Sequence, residues 1–109
     1  MPRWTVRLKP SAIDDLRALG SKQGRLVLKQ AVARLAEDPM AETRHLKTLR
    51  PNPVAERELR LFGNYRVLFS VDKAGAVVTI VLVGEKRGNS LYVQRKRFSV
   101  HESRSTERG

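Results

Sequence analysis

The sequence predicts an α+β domain: an N-terminal strand, then a two-helix hairpin packed on one face of a mainly antiparallel sheet, then a short C-terminal element. Three observations predict it. Apolar residues recur at helical spacing between residues 11 and 37, and β-branched or alternating stretches fill residues 56–83. The links within the second region are short, which implies antiparallel pairing. A helix pair covering one face of such a sheet buries both apolar surfaces. With 109 residues, 40% of them hydrophobic, there is material for one modest core, expected within a single domain over residues 1–98. The basic tail, residues 99–109, has no periodicity and is expected to be disordered.

Residues 3–8 alternate, with Trp4, Val6 and Leu8 on one face, so they form a half-buried strand in which Trp4 packs. Lys9-Pro10-Ser11 breaks it. Ser11 is placed to cap the first helix, Asp14 suits the positive end of that helix, and Ile13, Leu16 and Leu19 supply its apolar stripe. Gly20 ends this helix and Ser21 can cap the next, where Leu28, Val32 and Leu35 recur beside Gly24 and Ala31 until Asp38-Pro39. Residues 40–54 are polar, include Pro51 and Pro53, and read as a long loop holding His45, Lys47 and Arg50. Strands are expected at 56–61, 65–71 and 76–83, joined by Phe62-Gly63-Asn64 and Asp72-Lys73-Ala74-Gly75. Residues 84–90 read as a polar loop, and Leu91-Tyr92-Val93 as the last short element.

Charge narrows the function classes. Lys and Arg total 22 against 11 Asp and Glu, a formal +11, which favours polyanionic partners. Nucleic acid and an acidic protein inhibitor both fit. Cysteine is absent, which excludes disulfides, thiolate metal sites and a cysteine nucleophile. No His and carboxylate pattern has metal-ligand spacing, so neither a metal nor another cofactor is implied. The longest apolar run, residues 76–83, is far below the ~20 residues that cross a bilayer, and no secretory signal is visible. A cytoplasmic protein with no membrane partner is expected.

Strand alternation sorts the charged residues. Tyr65, Val67, Phe69 and Val71 share the face that packs on the helices, together with Leu59, Leu61 and the stem of Arg57. Glu56, Glu58, Arg60, Arg66, Leu68 and Ser70 then point the other way, near Glu85-Lys86-Arg87-Gly88-Asn89. Glu58, Arg60 and Arg66 on one exposed surface have two readings. One is a solvated salt-bridge network of little energetic weight. The other is a phosphate site, since planar guanidinium groups bind phosphodiesters in bidentate fashion.

Leu59-Arg60, Asn64-Tyr65-Arg66-Val67-Leu68-Phe69, Val83-Gly84-Glu85-Lys86-Arg87 and Tyr92 follow one another as in the RelE/ParE toxin superfamily, which the chain resembles over about residues 3–93. The resemblance implies a RelE-like fold and a toxin of a type II toxin–antitoxin pair, partnered by a small acidic antitoxin. RelE-like members cleave mRNA on the ribosome without a metal, through attack of the 2′-hydroxyl on the adjacent phosphate. ParE-like members poison DNA gyrase and are not nucleases. On the first reading Arg66 would stabilise the phosphate, Lys86 would be the second catalytic cation and Tyr92 would stack on or orient the substrate. Glu58 would then serve as base, with Lys47, Arg50, Arg60 and Arg87 contacting nucleic acid. Glu56 and Glu58 stand where RelE-like members carry lysines, a charge reversal that leaves three readings open: an mRNA interferase with a rewired site, a gyrase poison, or an inactive nucleic-acid-binding member. His45 reads as a solvated loop residue, and Arg95-Lys96-Arg97 as an electrostatic contact to RNA or ribosome.

Overall fold

A computed structural model describes residues 3–100. In chain order the elements are β1 (Thr5–Leu8), α1 (Pro10–Ala18), α2 (Ser21–Glu37), β2 (Leu46–Thr48), β3 (Arg57–Leu61), β4 (Tyr65–Asp72), β5 (Val77–Arg87), β6 (Ser90–Val93) and β7 (Lys96–Phe98). Among the described residues these strands make one sheet, ordered β2-β3-β4-β5-β6-β7 with antiparallel neighbours. β1 pairs in parallel with residues 77–80 of β5, while β6 pairs with residues 85–87 of the same strand. The architecture is the expected α+β layout. No helix among the described residues is long and apolar enough to cross a membrane.

The helix starts differ from the sequence reading. Pro10, not Ser11, opens α1, where its missing N–H costs nothing and its fixed φ is already helical. Ser11 Oγ instead donates to the carbonyl of Val81 at 3.5 Å. Gly20, at φ +95°, both follows α1 and caps α2, so Ser21 is already helical. The two helices touch at Gly24. A Cβ there would lie 2.5 Å from the carbonyl oxygen of Leu16, inside any allowed contact. Gly24→Ala is therefore expected to destabilise the fold by about 1–3 kcal/mol, although alanine is the better helix former by up to about 1 kcal/mol. Urea unfolding checks the sign.

The main core lies between the hairpin and the sheet: Leu16, Val27, Ala31 and Leu35 meet Leu59, Val67, Phe69, Val78, Ile80 and Val83. The pairing of β4 with β5 slips once. Phe69 opposes Ile80 and Leu68 opposes Leu82, so Val81 is an extra residue, a β-bulge. Val78 and Ile80 face the helices before it and Val83 does so after it, while Val81 and Leu82 both join the opposite side. Every side chain of β5 beyond Val81 thus lies on the face opposite to the one that unbroken alternation assigns.

The reverse face of the sheet is not left free, contrary to expectation. Leu68, Val81, Leu82, Val93 and Ala55 form a second buried cluster, covered by Leu49, Val54, Leu91, Phe98 and Val100. The chain supplies that cover from pieces read as loop or tail. β5 runs on to Arg87 through the expected loop, and β6 and β7 form a hairpin in place of one short element. Gly84 lets this hairpin close, since a Cβ there would meet the Tyr92 carbonyl oxygen at 2.7 Å. The expected loop of residues 40–54 also contains β2. It is anchored by Arg57, 3% exposed, whose guanidinium donates to the carbonyls of Pro39 and Ala41 and to the carboxylate of Glu42. Of the tail expected at 99–109, residues 101–109 lie outside the described residues, and Val100 packs on the second cluster.

Candidate functional site

Cross-strand register decides which side chains can act together. Lys47 opposes Glu58, Glu58 opposes Leu68, and Arg60 opposes Arg66, which opposes Gly84. Leu68 belongs to the second cluster, so Lys47, Glu58, Arg60 and Arg66 lie on the face away from the helices. The bulge brings Lys86 to that face as well. Lys86 opposes Leu91, which packs in the same cluster. Glu58 and Lys86 line a common hollow of about 340 Å³, closed on one side by Leu91, Phe98 and Val100.

Arg66 does not reach solvent as expected. It is 8% exposed; its Nη1 donates to the carbonyls of Gly63 (3.0 Å) and Tyr65 (3.2 Å), and its Nε is buried without a partner. Burial pushes its pKa down; Glu58 raises it in part and Arg60 lowers it further. Such a guanidinium is desolvated at a cost that its two carbonyl bonds only partly offset. Arg66→Met is accordingly expected to leave stability within about 1 kcal/mol of the wild type or to raise it, as thermal unfolding would show.

Glu58 has a side chain 14% exposed and already meets Arg60, Oε1 to Nε, at 3.4 Å. Lys47 and Arg50 are exposed, Arg50 in the segment after β2. Tyr92 and Arg87 fall elsewhere. Tyr92 opposes Glu85, which opposes Tyr65, and the Tyr65 hydroxyl accepts a bond from Gln23 of α2. Tyr92 therefore shares the helix-bearing face, and Arg87 stacks over its ring at 5.1 Å. The residues proposed for one catalytic centre are divided between two sides of the sheet.

A family model described as the ParE toxin of type II toxin–antitoxin system, parDE, matches residues 6–89. The chain belongs to the ParE toxin family. This places it in the RelE/ParE superfamily, among toxins of type II toxin–antitoxin systems. Two solved structures are similar to this ParE-family toxin. One is the toxin–antitoxin complex RelBE2 from Mycobacterium tuberculosis, with 29% identity, TM-score 0.67, and 79% of this chain and 94% of that chain covered. The other, the archaeal RelE–RelB complex from Pyrococcus horikoshii OT3, shares the fold at 22% identity and TM-score 0.61, with 81% and 99% covered. No curated protein matches the chain.

Sequence reasoning missed Asp15, which is 1% exposed in α1. Its Oδ2 accepts the backbone N–H of Val83 at 3.0 Å, and its Oδ1 accepts from Gln94 Nε2 at 2.7 Å. Asp15 thereby serves the edge of β5 between the end of β1 pairing and the start of β6 pairing. A signal was present: Asp15 falls between Ala12, Leu16 and Leu19 on the buried stripe of α1, where a carboxylate survives only with partners.

Proposed function

We propose that this toxin acts in the cytoplasm by binding its target, DNA gyrase, and not by cutting RNA. The carrying observation is the division of the expected catalytic set. Cleavage by the 2′-hydroxyl needs a base, cations for the phosphorane charge and an acid for the leaving 5′-oxygen, all converging on one phosphate. Here Arg66 is buried against its own backbone, Glu58 is occupied by Arg60, and Tyr92 and Arg87 lie across the sheet from Lys86. The match to the ParE toxin model supports the same reading. The partner that holds the toxin inactive is an acidic antitoxin, in keeping with the +11 charge and with two similar structures that are both toxin–antitoxin complexes.

Purified protein should inhibit gyrase supercoiling and leave mRNA on translating ribosomes uncut by primer extension. Unaffected gyrase would sink the proposal. One observation favours a second reading: Glu58 and Lys86 share a hollow, where the carboxylate could take the 2′-proton and the ammonium face the phosphate. On that reading new cuts appear within codons, and Glu58→Gln lowers their rate by about 10²-fold or more.

A further inference from the structure

We propose that the β6–β7 hairpin and the end of β5 form a blade that binds nucleic acid through Arg87, Tyr92 and Arg95. Residues 85–97 hold Lys86, Arg87, Arg95, Lys96 and Arg97 against one carboxylate, Glu85. That carboxylate is occupied, by Arg87 at 3.4 Å and by Asn64 at 3.1 Å. Tyr92 carries Arg87 over its ring at 5.1 Å, so a guanidinium and an aromatic face stand together here, while Arg97, opposite Tyr92 on β7, lines the Glu58 hollow. The Arg87–Tyr92 stack lies across the sheet from the Glu58 hollow.

The turn between β6 and β7 is the second observation. Its residues, Gln94 at φ 53° and Arg95 at φ 69°, are both left-handed, a two-residue turn in which Asn-Gly is the relaxed choice. The chain instead carries two long side chains there against a backbone cost. Gln94 uses its side chain to tie the turn to Asp15 of α1 at 2.7 Å. Among the described residues Arg95 has no such tie; it is exposed and holds a cation at the tip of a fixed hairpin. Nucleic acid fits better than an acidic protein. Guanidinium forks match phosphate oxygens, and an arginine–tyrosine stack offers a base a π-surface that a carboxylate cannot use. The inference goes beyond gyrase binding and does not need it.

The test is fluorescence anisotropy of labelled single-stranded and duplex DNA with the full chain, over a range of salt, with polyglutamate as the acidic-protein probe. Arg95→Gly relieves the left-handed backbone, so its Tm is expected to rise by about 2–6 °C. The same variant is expected to bind DNA about 3–10-fold more weakly, with a salt slope smaller by about 1. Lys29→Ala, which removes an exposed charge on α2, is the control for bulk charge and should bind as the wild type does. Equal losses in the two variants, or an unchanged Arg95→Gly, overturn the blade. Polyglutamate binding as tightly as DNA also overturns it, in favour of an acidic protein partner. Wild type that binds DNA yet spares gyrase overturns the proposed function and supports the blade, whereas gyrase inhibition without DNA affinity overturns the blade alone.

Discussion

Asp15→Leu is expected to destabilise the protein by about 2–4 kcal/mol, read from urea unfolding. The leucine removes both acceptors at once. The Val83 N–H lies in a buried stretch of β5 where neither β1 nor β6 reaches, so it keeps no alternative partner in the pairing of those strands. Leaving such a donor unsatisfied costs more than the net value of the bond it made. Gln94 also loses its anchor, which holds a turn of two left-handed residues. Asp15→Asn should cost under about 1 kcal/mol by contrast. Its Oδ1 can keep the Val83 bond, and the Gln94 amide can turn over to accept from the new Nδ2. A large loss in the asparagine variant would mean that the charge, and not the acceptor geometry, matters.

Phe69→Ala is expected to cost about 3–5 kcal/mol, with an unchanged denaturant slope. Phe69 is 0% exposed at the centre of the helix-facing core, and its strand neighbours are Arg57 on β3 and Ile80 on β5. Ile80 is the last residue before the slipped pairing, so the backbone around the void has little freedom to collapse. A loss below about 1 kcal/mol would show that the core relaxes into the vacated volume.

Much of the architecture was legible because its signals are local. Alternation in β4 separates Tyr65, Val67 and Phe69 from Arg66 and Leu68, and the structure keeps that separation. The hairpin follows from stripes on two helices with Gly20 between them. Three things were not legible. β2 has one buried residue in three, too few for a period to show. The cover over the second face is assembled from Leu49, Val54, Phe98 and Val100, far apart in sequence and weak in pattern. Exposure was the third: parity gives the side on which Arg66 emerges, but nothing in residues 65–71 says that other segments fold over it. The candidate site was readable as a set of faces and unreadable as an accessible surface.

The single extra residue at Val81 acts as a phase shifter for the chain that follows it. Were β5 to run through Val81 in unbroken alternation, Glu85 and Arg87 would turn toward the hollow while Lys86 turned away from it. Two chains that match letter for letter along this strand, one with the bulge and one without it, would carry their charges back to back. Aligning such chains by columns alone would equate groups that never meet the same ligand.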